Sequence, residues 1–300
     1  MAGVRDGLTS VVIVAADSGP LLISCVDRVL ASSAPVDVVI VDNASADGFP
    51  AKAAAMHAND PRVRLLENTS NRGFGPACNQ GAATAAGDAL VFLNPDCLIE
   101  VDTIATLRAI AASDPSIGLL GVDVRSPEGA QARGNRRRDP TLRRALMSMS
   151  GLARFESRWP TLAGVDMTQD ISAPRIERVD AVSGACLFVS RAAFEQVGGF
   201  DEAYFLHVED LDLCRRIRDF GYTVAIANDV RVVHAQGSSS RHRRVFVAAH
   251  KRRGMWRYFT RYDRAARNPL LRALVWTGLW MRFALSATTA LRPPSRDKDA

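Results

Sequence analysis

Ala89-Leu90-Val91-Phe92-Leu93-Asn94-Pro95-Asp96 joins an unbroken apolar run to a proline and an acid. Five apolar residues without alternation describe a strand buried on both faces, and a proline just past them stops the pairing. Asp96 is therefore expected to project at a sheet edge, where a carboxylate can hold a divalent cation against a diphosphate. Farther along, Glu209-Asp210-Leu211-Asp212 follows a second apolar run, Tyr204-Phe205-Leu206-His207-Val208, which reads as another strand giving way to acid. A carboxylate there can remove a proton from an incoming hydroxyl. Together the two acidic sites describe group transfer from an activated phosphate ester.

On either side of Asp96 the chain alternates between two kinds of segment. Residues 11–15, 36–41, 63–66, 89–93 and 118–122 read as strands, and 21–30, 51–58, 77–86 and 101–112 as helices. Such alternation predicts an α/β fold: a parallel sheet with helices on both faces and ligands at the carboxyl ends of the strands, where Asp42 and Asp96 fall. Residues 123–176 lose the pattern, and so long an irregular insert is more often functional than structural. Regularity returns at 179–189, with a short helix from Ala192, a turn at Gly198-Gly199, a helix near Glu209 and two short strands at 224–226 and 230–234. The expected organisation is a domain over 1–240, with a nucleotide-binding half (1–122) and an acceptor half (123–240), and a basic helical extension over 241–300.

A chain of 300 residues that is 47% hydrophobic and 23% charged can bury an ample core, which excludes a disordered protein. Its net charge of +6 is unevenly placed: basic residues dominate 231–296, and a smaller cluster spans 133–144. The asymmetry points to an anionic partner, a nucleotide, lipid diphosphate or membrane surface, rather than to nucleic acid. The five cysteines show no C-x-x-C spacing and read as buried thiols of a reducing compartment. Residues 1–10 lack the apolar core of a signal peptide, so a cytoplasmic protein is expected. The apolar stretch 270–291 is interrupted by Arg272 and Arg282, which argues against a spanning helix. Two readings stand for it: an amphipathic helix, with Trp256, Trp276 and Trp280 as an interface belt at the inner face of the plasma membrane, or a helix packed on the body or in a homodimer.

Several smaller motifs surround the two acidic sites. Asp42-Asn43-Ala44-Ser45 ends a strand, as an Asx-turn or as a ligand-facing acid. Asn71-Arg72-Gly73-Phe74-Gly75 runs into a helix and offers backbone N–H groups to an anion. Cys78 stands where a dinucleotide fingerprint needs its third glycine, and no Walker A sequence occurs. His234 closes an apolar run, and an imidazole beside carboxylates makes a site for Mn2+ or Mg2+.

The ordered series Val41-Asp42-Asn43-Ala44-Ser45, Asn71-Arg72-Gly73-Phe74-Gly75 with Asn79, Leu93-Asn94-Pro95-Asp96, Val182-Ser183-Gly184-Ala185-Cys186, Val197-Gly198-Gly199-Phe200-Asp201-Glu202, Glu209-Asp210-Leu211-Asp212-Leu213-Cys214-Arg215-Arg216 and Val232-Val233-His234 resembles the family 2 glycosyltransferases of GT-A fold, in their rhamnosyltransferase-like branch. The resemblance implies a nucleotide-sugar-binding, Rossmann-like sheet. It implies a dTDP- or UDP-sugar donor held by Asp42, Asn43, Asp17, Arg72, Gly73, Asn79 and Asn94, and a metal on Asp96 and His234. Asp210 matches the general base, with Glu209 beside it, and Ser183, Gly184 and Asp212 fall on the acceptor side. One departure is Ala15-Ala16-Asp17, where family members carry Thr-Tyr-Asn or a close relative; Asp17 is then the substitute acceptor for base or ribose. His207, at a position often aromatic in the family, is another.

Three functions remain in view. The first is an inverting, metal-dependent glycosyltransferase that moves a sugar, rhamnose foremost, to a cell-envelope glycan or polyprenyl-linked acceptor. The second is a catalytically degenerate partner or glycan-binding protein, favoured by Ala15-Ala16-Asp17. The third, nucleotidyl transfer, would release pyrophosphate.

Overall fold

Four parallel strands carry the first part of the chain in the computed structural model, which describes residues 3–167, 174–235 and 244–290. They are β1 (Arg5–Ala15), β2 (Val36–Asp42), β3 (Val63–Glu67) and β4 (Gly87–Leu93), in the order β3-β2-β1-β4. Helices cover both faces, so the central strands are apolar on both sides. Val11, Ile13 and Ala15 face a layer with α1 (Leu21–Leu30), α2 (Phe49–Met56) and α4 (Thr103–Ser113), whereas Val12 and Val14 face α3 (Phe74–Thr84). Ile13 pairs with both Ile40 and Leu93, and Ala15 pairs with Asp42. That register brings the carboxyl ends of β1, β2 and β4 to one edge.

The second half corrects the expectation of a purely parallel sheet. β10 (Cys186–Ser190) inserts antiparallel between β4 and β6 (Ile117–Arg125), and β11 (Thr223–His234) runs parallel to β6. The chain re-enters the sheet through a turn at 183–185 rather than a helical crossover, so nothing holds β10 parallel to its neighbours. β11 also pairs antiparallel with β5 (Cys97–Leu98) and with β8 (Ile176–Arg178).

Local readings change too. The segment 179–189 is broken at 183–185 into β9 (Ala181–Val182), which pairs with β7 (Arg136–Arg137), and β10. The two strands expected near the end are one strand, β11, with an irregularity between Ala227 and Arg231. Tyr204–Val208 is no strand: His207 and Val208 have φ 65° and 75°, in the left-handed region. The run is a loop whose ends, Tyr204 and Val208, are buried, whereas Phe205 and Leu206 are half-buried and His207 is exposed.

The described part of the insert contains β7, α5 (Leu142–Ser150) and 3-10 turns at Leu152–Phe155 and Pro160–Leu162. Thr141 caps α5, its side chain accepting from Arg144 N. Two more helices, α6 (Arg191–Gln196) and α7 (Glu209–Asp219), lie with α3 on one face. The chain ends in α8 (Arg244–Tyr262) and α9 (Pro269–Ala290). The serine and arginine stretch at 238–243, where the extension was expected to begin, lies outside the described residues. No described helix is long and apolar enough to cross a membrane.

Candidate active site

A cleft of about 410 Å³ opens at the carboxyl ends of β1, β2 and β4. Asp96 and His234 form one end of it. Antiparallel pairing of β5 with β11 sets His234 opposite Cys97, next in sequence to Asp96, and Asp96 Oδ1 lies 3.0 Å from His234 Nε2. That separation fits two adjacent ligands of one ion bonded at about 2.1 Å and at right angles. An oxygen and an imidazole nitrogen form a donor set for Mn2+ or Mg2+, the pair nominated from sequence. Cys97 Sγ is close enough to join them, but burial pushes its thiol pKa far up and it sits 3.5 Å from the Ala185 carbonyl oxygen. A soft thiol also suits Mn2+ or Mg2+ less well than oxygen and imidazole do.

The nominated donor residues divide. Asp17, Asn43, Gly73 and Asn94 line the cleft; Asp42, Arg72 and Asn79 do not. Asp42 Oδ1 accepts from Ser45 N at 2.8 Å, an Asx-turn that shapes the strand end. Asn43 is buried and acts as a hub, its Nδ2 donating to Asn71 Oδ1 and the Gly73 carbonyl while its Oδ1 accepts from Arg72 N. Gly73, with φ 96°, lies so close to the Tyr204–Val208 loop that a Cβ would come within 2.6 Å of the Phe205 carbonyl oxygen. The Arg72 side chain is exposed at the rim. Asn79 clamps another loop: its Oδ1 accepts from Phe200 N at 2.8 Å and its Nδ2 donates to Phe200 O at 2.9 Å. Asp17, at φ 54°, holds the next loop through Oδ1, which accepts from Ala46 N at 2.7 Å.

Asp210 is tied to the Asp96–His234 end through a single turn of chain. Asn94 N donates to Ala185 O at 2.9 Å, and the neighbouring Gly184 N donates to Asp210 Oδ2 at 3.1 Å. Arg137 Nη2 reaches the same Oδ2 at 2.5 Å and also donates to the Val182 carbonyl. Burial alone would raise the Asp210 pKa, but the Arg137 guanidinium and the hydrogen bonds outweigh it and hold the carboxyl below its usual range. Glu209 goes the other way: burial and the adjacent Asp210 charge push its pKa up. Its Oε2 has no hydrogen-bond partner among the described residues. Asp210 is thus the ionised member and Glu209 the protonated one. Ser183 stays beside them, its Oγ accepting from Ala185 N. Asp212 is fully buried, its carboxylate accepting from Arg216 Nε at 2.7 Å and from Tyr262 Oη at 2.7 Å.

Two contributors escaped the sequence reading. Arg137 belongs to the basic cluster assigned to an anionic partner, yet Arg136, Arg137, Arg138 and Arg144 pair internally with Glu177, Asp210, Glu156 and Asp180. Helix α8 supplies the other: Phe246 and Val247 line the cleft, and the Phe205 ring lies 4.4 Å from that of His250. Asp201 holds α8 through Arg257 and Arg261, and Asp139 bonds Tyr258, Arg215 and Arg218. Gly254 permits the close approach, since a Cβ there would lie 3.0 Å from His207 O and 3.1 Å from Val208 Cβ.

Comparison with known proteins agrees with this architecture. The chain is 32% identical over 284 residues, 90% of its length and 89% of the relative's, to an N-acetylglucosaminyl-diphospho-decaprenol L-rhamnosyltransferase of Mycobacterium tuberculosis. An O-antigen biosynthesis protein of Myxococcus xanthus is 27% identical over 77% of the chain and 18% of that protein. The structure of a mannosyltransferase from Pyrobaculum calidifontis in complex with GDP-Man and Mn2+ superposes with a TM-score of 0.58 at 20% identity, over 95% of this chain and 76% of that one. S. aureus TarS in complex with UDP-GlcNAc gives 0.54 at 14% identity, over 92% and 80%. Both share the GT-A fold expected from the motif series. The profile of glycosyl transferase family 2 matches residues 10–168, and the chain belongs to that family.

Proposed function

We propose that this glycosyltransferase works with inversion and with a divalent cation, moving a sugar, rhamnose foremost, from a dTDP- or UDP-linked donor to a polyprenyl-linked cell-envelope acceptor. The observation that carries the reading is the pairing of Asp96 with His234 at one end of the cleft, with ionised Asp210 joined to that end through Gly184 and Ala185. The M. tuberculosis relative, named for decaprenol-linked rhamnosyl transfer, supports the choice of sugar and acceptor.

Asp96 and His234 would hold the cation. Bound between these two side chains, it would supply positive charge beside the departing diphosphate. Asp210 takes the proton of the acceptor hydroxyl: Arg137 and Gly184 engage Oδ2, whereas Oδ1 accepts only the N–H of Leu211 among the described residues. The acceptor oxygen then bonds to the anomeric carbon as the carbon–phosphate oxygen bond breaks on the opposite side. A nucleoside diphosphate leaves and the anomeric centre inverts. Neutral Glu209 has no free charge for this step and serves as packing beneath Asp210.

The direct test incubates the protein with Mn2+, a panel of nucleotide sugars and N-acetylglucosaminyl-diphospho-polyprenol, then looks for a lipid-linked disaccharide and its anomeric configuration. An inverted linkage supports the proposal; a retained one overturns inversion. A second reading, a degenerate binding protein, draws on Ala16 and Asp17, which line the cleft where family members carry an aromatic. Donor binding without transfer to any acceptor would favour it.

A further inference from the structure

We propose that α5, its following 3-10 turn and α9 form one face that lies on an anionic lipid bilayer. No α5 side chain is buried. Along 146–159 the apolar side chains Leu146, Met149, Leu152, Phe155 and Trp159 stand exposed at spacings of three and four residues, Met149 at 65% and Trp159 at 51%. Arg154 and Arg158 lie over the rings of Phe155 and Trp159, at 4.7 and 5.5 Å. The one acid between 142 and 163, Glu156, is engaged by Arg138 and by Gly164 N.

Helix α9 repeats this composition. Leu270 and Leu274 are 75% and 67% exposed, Trp276 and Met281 are exposed as well, and no acid occurs between 264 and 284. Arg264, Arg267, Arg272 and Arg282 are exposed around them. The two segments start from one place: Leu142 N, at the start of α5, donates at 2.6 Å to Asp263 Oδ2, six residues ahead of α9.

Exposed apolar residues occurring singly are ordinary, but a bundle of them rimmed by arginine and aromatic rings has the chemistry of the headgroup boundary. Arginines without competing acids select negatively charged lipid. They also argue against self-association, since a two-fold contact would set arginine against arginine. The face begins five residues from Arg137, a chain reach of at most about 17 Å. A lipid-borne acceptor in that bilayer would present its headgroup near Asp210. Membrane binding itself does not depend on which donor the cleft takes.

The experiment is flotation of the full-length protein with vesicles of phosphatidylcholine alone and of phosphatidylcholine with an equal amount of phosphatidylglycerol. The expected result is binding to the anionic vesicles about tenfold stronger than to the neutral ones, lost by about tenfold in Phe155→Ser/Trp159→Ser, in Leu274→Ser/Trp276→Ser and in Arg154→Gln/Arg158→Gln. Thermal midpoint and nucleotide binding should stay at parental values in all three, since every altered side chain is exposed. Equal binding to both vesicle types, or undiminished binding by the variants, would overturn the proposal. So would a lipid-free dimer that the same substitutions dissociate, which would assign the face to a second copy.

Discussion

Arg137 Nη2 and Asp210 Oδ2, 73 residues apart in sequence, meet at 2.5 Å in a mostly buried ion pair. The contact keeps Asp210 ionised despite its burial and orients the carboxylate by one edge. Asp210→Asn should lower turnover by about 10²- to 10⁴-fold with donor binding nearly intact. Unchanged turnover would remove Asp210 from the role of base. Arg137→Met strands a buried carboxylate and should cost about 3 kcal/mol of stability. In denaturant unfolding, the double variant Arg137→Met/Asp210→Asn should lose less than the sum of its parts.

The pH dependence of stability should carry the opposite shifts of the two neighbours. The folded-state pKa of Glu209 is raised, so its contribution is fully present below the unfolded glutamate value of about 4.3 and declines as pH rises through the folded value. That of Asp210 is lowered, so its contribution is present above the unfolded value of about 3.9 and is lost as pH falls through the folded one. Glu209→Gln should flatten the alkaline limb of a plot of Tm against pH and leave turnover within about tenfold of the parent. A loss as large as that of Asp210→Asn would make Glu209 a participant in the chemistry.

Gly254 is a test of the wall that α8 builds over the cleft. Alanine there gains helix propensity of about 1 kcal/mol and loses a similar amount to crowding against His207 and Val208, so Gly254→Ala should be near neutral. Gly254→Val adds branched bulk with poorer propensity and should destabilise by about 1–3 kcal/mol. Chemical denaturation of the two variants distinguishes the cases; a valine variant as stable as the parent would mean that the helix is not seated there.

Much of the site was legible because strand ends announce themselves. The apolar run before Asn94-Pro95-Asp96 marks a buried strand and its stop, and the short run before His234 does the same. What brings them together is register, and the β5–β11 pairing behind it follows no local pattern. Tyr204–Val208 misleads for a related reason: an apolar run reports burial, not conformation, and this one buries Tyr204 and Val208 next to α8 as a loop with positive φ at His207 and Val208. Arg137 was hidden among similar arginines, since nothing in its spacing separates the one that meets Asp210 from those that meet Glu177 or Glu156. Asn79 shows the same limit from the other side: its motif position is right, but its amide is spent on Phe200, across 121 residues of chain. The cluster at 133–144 shows one more limit: composition counts its charges and not the acids that the fold sets against Arg136, Arg137, Arg138 and Arg144.

The measurement that reaches the central claim most directly is calorimetric titration of UDP, dTDP and GDP into the purified protein and into Asp96→Ala, with and without Mn2+. One diphosphate should bind in the presence of Mn2+, and its affinity should fall by about tenfold or more when the metal is withheld or Asp96 is replaced. Equal binding with and without Mn2+, or no binding of any of the three, would contradict that claim.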